Sequence, residues 1–395
     1  MNSVYIVAAT RTPVGRAGRG VFRNVRADDL LIAAIQGALK QTPKLDPETI
    51  EDVIMGCAMP EGEQGLNIAR SAALLAGVPV SAGGMTVNRF CASGLSAIQI
   101  AADRIRVGEA DVMLAGGVES MSRIPMGGYH PSVHPSVFQS AEKMGIAYGM
   151  GITAEKVAHQ WNVSREDQDA FALLSHQRAI AAQQAGDFRA EITPVVVTQR
   201  TPIEDTGEVR VHATTVALDE GPRADTTLEA LARLKPAFQA KGSVTAGNSS
   251  QMSDGAACLI LASESAVRRF GLQPLARVVG FAVRGVPPAI MGIGPVEAVP
   301  AVLKRAGLTQ QQLDWIELNE AFAAQSLAVQ KTLGFDAGRL NPVGGAIALG
   351  HPLGASGAIR ATTLIHGLQR TGGRYGMVTL CVGMGQGAAG LFERV

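Results

Sequence analysis

The chain has few aromatic residues, few cysteines and almost no net charge. Of its 395 residues, 4% are Phe, Trp or Tyr, four are cysteine, and the formal charge is +1. A charge this small gives no basic field for nucleic acid, so any anionic ligand must be held by local groups. The cysteines show no CxxC spacing, which argues against a zinc site or a disulfide framework and favours a reducing compartment.

Features of membrane and exported proteins are also missing. No apolar run reaches the roughly 20 residues that a membrane-spanning helix needs, so we expect no membrane span. The first apolar run, 4–9 (VYIVAA), has no basic region before it and no small-residue cleavage site after it. This pattern predicts a first strand rather than a signal peptide, and we expect a cytoplasmic protein.

Glycine and apolar residues are abundant instead. There are 46 glycines, and 47% of the residues are hydrophobic. A chain of this length and composition predicts a globular protein of two or three lobes. So many glycines suit backbones that approach each other, or a ligand, closely.

The sequence contains an internal repeat. Three pairs of segments align at a constant offset of 263 residues: 45–54 with 308–317, 92–94 with 355–357, and 112–116 with 375–379. Around them, short buried strands alternate with helical apolar spacing. The repeat therefore predicts two α/β halves that face each other across a pseudo-twofold axis.

The predicted domain boundaries follow from the repeat and from a change of composition. The first half comprises 1–119 and returns at 242–273, and the second half comprises 274–395. Between them, 120–241 is richer in Gln, His, Pro and charge, and includes an amphipathic helix predicted from Arg165 to Ala182. We interpret this segment as an insertion that forms a lid or ligand-binding lobe.

Three residues suggest the chemistry: Cys91, His351 and Cys381. Each lies in a glycine-rich turn, and the three turns are 87–95 (VNRFCASGL), 350–357 (GHPLGASG) and 379–387 (TLCVGMGQG). A thiol and an imidazole suggest a nucleophile and its base. A second thiol suggests a separate proton donor, which points to protonation of carbon while an acyl group rests on sulfur.

Cys91 precedes a predicted helix, whose N-terminus we expect to favour the thiolate and to supply N–H groups to an oxyanion. Asn319 follows a predicted strand, where its amide is able to hold a water or a carbonyl oxygen. Cys57 and Cys258 are expected to be core residues. Pro131 and Pro135 prevent helical pairing of the two histidines before them, so we predict no metal site there.

Four motifs in order, 87–95, 319–323 (NEAFA), 350–354 (GHPLG) and 381–385 (CVGMG), resemble those of the thiolase family. The resemblance extends from 11–15 (RTPVG) to 392–395 (FERV). It implies an α/β fold of the thiolase type, duplicated in five layers, α-β-α-β-α, with an inserted loop domain that binds CoA.

The resemblance also implies a mechanism. His351 activates Cys91, which attacks the 3-keto carbonyl of a 3-ketoacyl-CoA, and Cys381 protonates the departing acetyl-CoA enolate. CoA then takes the acyl group. One oxyanion would be bound by His351 and a water on Asn319, and the other by the N–H groups of Cys91 and Gly383.

Five residues match family positions that contact CoA or the acyl group: Ser250, Arg223, Met150, Met291 and Phe322. CoA and acyl-CoA are substrates, and no permanently bound cofactor is implied. The family is commonly dimeric or tetrameric, and some degradative members join a hydratase/dehydrogenase partner.

The subclass rests on smaller differences. Gly149 stands where biosynthetic acetoacetyl-CoA thiolases usually have histidine, and the motifs around Cys91 and Cys381 look more like degradative 3-ketoacyl-CoA thiolases of β-oxidation. We therefore favour a degradative enzyme of broad specificity. The alternatives are a biosynthetic acetoacetyl-CoA thiolase, a decarboxylating ketoacyl synthase, which the second cysteine disfavours, and a non-catalytic acyl-CoA or lipid binder.

Overall fold

The computed structural model describes residues 2–203 and 207–395. Its strands are β1 (Val4–Arg11), β2 (Gly15–Arg16), β3 (Asp52–Gly56), β4 (Met85–Val87), β5 (Val112–Ser120), β6 (Val195–Pro202), β7 (Val209–Val216), β8 (Ser253–Ser263), β9 (Ala276–Gly285), β10 (Leu313–Leu318), β11 (Tyr375–Val382) and β12 (Gln386–Arg394). Its helices are α1 (Ala27–Gln41), α2 (Ile68–Leu75), α3 (Ser93–Arg106), α4 (Ala141–Met144), α5 (Met150–Gln160), α6 (Arg165–Ala185), α7 (Leu228–Ala232), α8 (Glu264–Phe270), α9 (Gly294–Ala306), α10 (Ala323–Leu333), α11 (Ala346–Leu349) and α12 (Leu353–Thr371).

Two mixed sheets join edge to edge. The strand order is β10-β11-β12-β9-β1-β8-β5-β3-β4, with β2 added to β8, and β6 and β7 form a separate hairpin. The joint between β9 and β1 has only two residue pairs, Tyr5 with Arg277 and Ile6 with Ala276. In each half the inner two pairings are antiparallel, while β3–β5 and β10–β11 are parallel. Apart from β4 and β2, which only the first half has, the two halves therefore share one topology among the described residues.

The internal repeat of the sequence appears as matching elements. A short 3₁₀ turn at Pro47–Thr49 is matched by one at Gln310–Gln312, and β5 and β11 begin at Val112 and Tyr375, each pair 263 residues apart. Between these elements, β3 matches β10 and α3 matches α12 in chain order. Equal spacing of the elements explains why the repeat was detectable in the sequence.

Three apolar clusters separate the layers. The first half packs α1 and α2 against one face of its sheet, and the second half packs α9 and α10 against the outer face of its own. Between the sheets, α3 and α12 share the central cluster. The resulting order of layers is α-β-α-β-α, as the resemblance implied.

Local sequence signals account for the clearest helix, α6. The Ser164 hydroxyl accepts the N–H of Asp167 at 3.0 Å and caps the first turn. At the other end Gly186 has φ 76°, the left-handed conformation that glycine adopts most readily. The helix begins at the predicted residue and runs three residues beyond the predicted Ala182.

The segment between β5 and β8 holds α4, α5, α6, α7 and the β6–β7 hairpin. Arg11 connects it to the first half. This buried guanidinium donates to Glu191 at 2.6 Å and to both carboxylate oxygens of Asp219, at 2.7 and 2.9 Å. The predicted boundaries of the inserted domain stay a prediction. Within the described ranges, no helix combines the length and apolar character that a membrane crossing needs.

The two central helices touch through glycine. A Cβ on Gly94 in α3 would lie 2.9 Å from the Ala358 nitrogen, and a Cβ on Gly357 in α12 would lie 2.5 Å from the Leu95 nitrogen. Gly94 and Gly357 are themselves 263 residues apart, so the contact is made by equivalent positions of the repeat. Any larger residue must push the helices apart.

We expect Gly357→Ala to destabilise the protein by about 1–3 kcal/mol, since the added methyl group overlaps the α3 backbone. The loss would be measured as a lower midpoint of urea unfolding. Gly280→Ala is the matched control, because its Cβ would make an ordinary 3.6 Å contact with Val302. Equal midpoints for the two variants would contradict this account of the helix contact.

Candidate active site

Four turns bring the predicted catalytic residues together at the ends of the strands. Cys91 lies in a 3₁₀ turn, Phe90–Ala92, between β4 and α3, and His351 lies between α11 and α12. Asn319 directly follows β10, and its N–H donates to the Thr379 carbonyl of β11 at 2.9 Å. The carboxyl ends of parallel strands such as β10 and β11 share one edge of a sheet, where ligands commonly bind in α/β folds.

The turn that carries Cys91 is held in an uncommon conformation. Phe90 has φ 44°, in the left-handed region that residues with a Cβ seldom adopt. The Ser93 hydroxyl accepts the N–H of Arg89 at 2.8 Å and donates to the Phe90 carbonyl at 2.7 Å. These bonds fix the turn, and backbone strain of this kind is concentrated at functional sites.

The Cys91 sulfur is buried and faces backbone donors. N–H groups of Gly383 and of Cys91 itself hydrogen-bond to it. Burial nevertheless raises the pKa of Cys91 to about 12, and the charge of Glu119 adds a smaller upward effect. The backbone N–H groups do favour the thiolate, as predicted, but their effect on the pKa of Cys91 is smaller than that of burial.

His351 is arranged as a neutral base. Its Nδ1 lies 2.5 Å from the Ser356 hydroxyl, which donates its own proton to the Pro352 carbonyl at 3.0 Å. Asn319 Nδ2, a donor, lies 3.3 Å from Nε2. Both contacts fit a ring with its proton on Nδ1, and we assign that tautomer, in which Nε2 is free to take a proton. Burial, with a contribution from the Arg360 charge, lowers the pKa of His351 to about 3.

Asn319 presents an unused acceptor. Its side-chain Nδ2 is 3.3 Å from His351 Nε2. Its Oδ1 is buried and has no hydrogen-bond partner among the described residues. A buried amide oxygen without a partner is a natural place for a water molecule or a substrate group that donates.

Cys381 lies near the end of β11, where the sequence placed it. It is fully buried, in an apolar cluster that includes Met291 and Phe322, with Met150 packed against it. Burial raises the pKa of Cys381 above its usual range, and the charge that Cys91 would carry as a thiolate raises it further. The two thiols are thus close enough to influence each other.

Gly383 closes the site opposite Cys91. A Cβ at this position would lie 3.5 Å from the Phe90 ring and 3.9 Å from the Met150 sulfur. The next residue, Met384, has φ 62° and an exposed side chain. In the turn after β11, the N–H of Gly383 therefore faces Cys91, and glycine has no side chain to separate the two.

The predicted substrate-contact residues fall into two places. Met150, Met291 and Phe322 surround Cys381, and Ser250 is beside them, since its N–H donates to the Ala321 carbonyl at 2.9 Å. Arg223 is exposed and belongs to a separate segment.

Cys57 and Cys258 are core residues, as expected.

Sequence reasoning missed Ser356 and Glu119. The Glu119 carboxylate is buried and accepts N–H groups of Ala58 and Gly354, each at 2.8 Å. It thereby ties the start of α12 to the loop after β3. In the sequence, Glu119 could have been found as a single carboxylate at the end of the apolar strand 112–118. Ser356 could have been noticed only as a member of the repeated Ala-Ser-Gly triplet.

Comparison with known proteins finds similarity along the whole chain. Residues 4–265 match the family described as thiolase, N-terminal domain, and residues 272–394 match thiolase, C-terminal domain. A 3-ketoacyl-CoA thiolase of Bacillus subtilis is 47% identical over 393 residues, covering 100% of both chains. A beta-ketoadipyl-CoA thiolase of Pseudomonas aeruginosa is 49% identical over 411 residues, covering 99% of both.

Solved structures are also similar to this chain along its whole length. The crystal structure of human mitochondrial 3-ketoacyl-CoA thiolase superposes with a TM-score of 0.89 at 40% identity, covering 100% of this chain and 99% of that one. The Bacillus anthracis acetyl-CoA acetyltransferase gives the same TM-score, identity and coverage. The predicted fold is confirmed.

The resting thiol should be neutral across the physiological range. We expect the rate of Cys91 alkylation by iodoacetamide to rise by about tenfold per pH unit between roughly pH 6 and 9, because the thiolate fraction grows in that proportion far below the pKa. Mass spectrometry would locate the adduct, with Cys91→Ala as the control for the other thiols. A plateau beginning near pH 7 would contradict a neutral resting thiol.

Proposed function

The chain belongs to the thiolase family, and we propose that it uses CoA to cleave 3-ketoacyl-CoA into acetyl-CoA and an acyl-CoA two carbons shorter. One observation carries the proposal: a second buried thiol, Cys381, lies two residues before Gly383, and a Cβ on Gly383 would lie 3.5 Å from the ring of Phe90, the neighbour of Cys91. Acyl transfer alone needs one nucleophile and one base. Cleavage of a carbon–carbon bond also needs an acid that protonates the carbon left behind.

In the first half-reaction, His351 Nε2 takes the proton of Cys91 and the sulfur attacks the 3-keto carbonyl. The bond between C2 and C3 then breaks, which leaves an acyl thioester on Cys91 and an enolate of acetyl-CoA. Cys381 gives its proton to C2 and releases acetyl-CoA. The upward shift of both thiol pKa values supports this sequence, because each thiol keeps its proton until the reaction needs it.

In the second half-reaction, CoA takes the acyl group. The proton of the incoming CoA thiol replaces the one that Cys381 gave up, and the CoA sulfur attacks the thioester. Cys91 leaves and recovers its own proton from His351. Protons and electrons balance over the two halves, and the free enzyme is restored.

Two sets of donors suit the two oxyanions. We assign the oxygen of the attacked carbonyl to the N–H groups of Cys91 and Gly383, and their hydrogen bonds to the resting sulfur support this assignment. Once His351 has taken a proton, its Nε2–H becomes a donor for the enolate oxygen. A water bound to the unpartnered Oδ1 of Asn319 would be the second donor there.

The surroundings of Cys381 support apolar acyl groups as substrates. Met150, Met291 and Phe322 pack around it. An acyl chain that lay among these side chains would be removed from water, which favours chains longer than acetoacetyl. The relatives carry names for both 3-ketoacyl-CoA and beta-ketoadipyl-CoA substrates, so the choice between a methyl and a carboxylate at the end of the chain needs a direct test.

The remaining predictions about the cell and the assembly are drawn from the resemblance. They are a role in β-oxidation, a cytoplasmic location, a homodimer or homotetramer, and a hydratase/dehydrogenase partner.

We expect Cys381→Ser to accept an acyl group from a simple acyl-CoA thioester but to lose carbon–carbon cleavage by at least about a hundredfold, in line with the usual contribution of a positioned acid. Acylation would be followed by mass spectrometry and cleavage by the release of acetyl-CoA. Cys258→Ser is the matched control, since it makes the same change at a buried cysteine in β8. Unimpaired cleavage by Cys381→Ser would remove Cys381 from the proposed role.

Two substrates of equal chain length would decide the acyl specificity. We expect kcat/KM for 3-oxohexanoyl-CoA to exceed that for 3-oxoadipyl-CoA by at least about tenfold, because a carboxylate placed among apolar side chains loses its hydration. Products would be identified as butanoyl-CoA or succinyl-CoA, with acetoacetyl-CoA as the short reference.

Preference for 3-oxoadipyl-CoA would instead assign the specificity named for the Pseudomonas relative. Activity confined to acetoacetyl-CoA would favour the biosynthetic alternative.

A further inference from the structure

A row of side chains along β10 faces α12 and the turn before it. Trp315, Glu317 and Asn319 alternate along the strand and its continuation, so they lie on one face. Asn319 Nδ2 is 3.3 Å from His351 Nε2, and Glu317 Oε2 is 3.4 Å from Arg360 Nη1. The contact between Asn319 and His351 is therefore followed, on the same two parts of the fold, by a contact between Glu317 and Arg360.

The pair of Glu317 and Arg360 is buried. The Glu317 side chain is fully enclosed, and that of Arg360 is 2% exposed. The Glu317 carboxylate also accepts the Trp315 indole N–H at 2.7 Å. Because two buried charges are costly to desolvate and often add little stability, a pair kept so close to the reactive turns points to a further role.

The charge of Glu317 changes near neutral pH. Burial raises the pKa of Glu317 to about 7, against the opposing effects of the Arg360 charge and the Trp315 N–H, and the charges of two other carboxylates add to the rise. Among the described residues, the charged groups that face Glu317 are thus Arg360 from α12, Glu191 from the segment after α6, and Glu320 from the turn after β10. Glu317 therefore gains its charge as the pH rises through neutrality.

The charge of Arg360 acts on His351. Arg360 is four residues after Ser356 in α12, so the two lie on one side of the helix, and the Ser356 hydroxyl is 2.5 Å from His351 Nδ1. After burial, the Arg360 charge is the effect that lowers the pKa of His351. This positive charge opposes the imidazolium that forms when His351 takes the proton of Cys91. A negative charge on Glu317 offsets it, because the two opposite charges are in contact.

We propose that Glu317 and Arg360 are positioning residues for His351: they hold β10 against α12, and ionised Glu317 offsets the Arg360 charge while His351 carries the proton of Cys91. The inference rests on the proposed function for the step in which His351 becomes charged. At low pH the Glu317 carboxyl is neutral, so the Arg360 charge is not offset and the proton transfer is harder. Acylation of Cys91 therefore becomes faster as Glu317 ionises and levels off once it is fully ionised.

Cys91 and His351 themselves do not account for a change of rate in this range. Burial raises the pKa of Cys91 to about 12 and lowers that of His351 to about 3. Attack assisted by a neutral His351 should thus be independent of pH between about 6 and 9 unless a neighbouring group changes its charge. Burial also raises the pKa values of Glu119 and Glu320, so a variant of Glu317 is needed to assign the change.

The test measures the rate at which saturating butanoyl-CoA acylates Cys91 in a single turnover, followed by rapid quenching and mass spectrometry between about pH 5.5 and 9. We expect the rate of the unchanged protein to rise by about fivefold, the effect of a nearby charge that is offset, and then to level off. The midpoint of the rise should lie near pH 7, the pKa of Glu317. Glu317→Gln should react at the slow rate throughout, because a carboxamide is neutral and has the shape of the protonated carboxyl.

Glu155→Gln is the matched control. Glu155 is a buried carboxylate of α5 that accepts the N–H groups of Ser243 and Val244, each at 2.9 Å. The midpoint near pH 7 should persist in this variant. If Glu317→Gln does not fold, the double variant Glu317→Gln, Arg360→Met takes its place, because removal of both charges of a buried pair is tolerated better than removal of one. The double variant should also show no midpoint.

Several results would overturn the inference while the proposed function stands. One is a midpoint in the folded Glu317 variant equal to that of the unchanged protein, which is the result that a merely structural role of Glu317 predicts. Others are the absence of a midpoint in the unchanged protein, its loss in Glu155→Gln, and a rate that rises about tenfold per pH unit without levelling off, as reaction of a small thiolate fraction would. Absence of acylation in the unchanged protein at every pH would overturn the proposed function, and this inference with it.

Discussion

The contact between α3 and α12 sets the geometry on which the site depends. Glycine at 94 and 357 lets the two helices approach backbone to backbone, and each helix begins directly after a turn that carries a reactive residue. Cys91 precedes α3 and His351 precedes α12. The spacing of the two helices therefore helps to set the spacing of the two turns, and an added methyl group at the contact would displace both turns.

Glu119 strengthens the same arrangement. Its carboxylate accepts N–H groups from the start of α12 and from the loop at Ala58. The Ala58 carbonyl in turn accepts from the side chain of Asn88, whose Oδ1 accepts the N–H of Phe90 beside Cys91. A chain of hydrogen bonds thus runs from one catalytic turn to the other through a single buried carboxylate. Such a carboxylate is tolerated in the interior because its oxygens are satisfied by donors.

Burial explains how the two thiols and the imidazole work together. It raises the pKa values of Cys91 and Cys381 and lowers that of His351, so all three groups rest without charge. In the proposed reaction, charge would develop only where donors already point, which is the condition under which fixed dipoles stabilise a transition state most effectively. The same seclusion would protect the proposed acyl thioester from water.

Much of the fold and the site was predictable because the responsible signals are local or periodic. The repeat at 263 residues predicted the two matching halves, the cap at Ser164 placed the start of α6, and the glycine-rich turns marked Cys91, His351 and Cys381. The family motifs around them gave the roles of the site residues, and those roles stay predictions. Ser356 and Glu119 were not found, since each acts through a partner that only folding reveals.

The sequence by itself determined the elements, their duplication and the types of residue in the reactive turns, because these depend on spacing along the chain. Only the tertiary structure decided the protonation of those residues and the side chains that orient them. The expectation of a thiolate at Cys91 shows the difference: a helix N-terminus is visible in the sequence, while the loss of solvent around the sulfur is a property of the packed halves, and its effect on the pKa is the larger one.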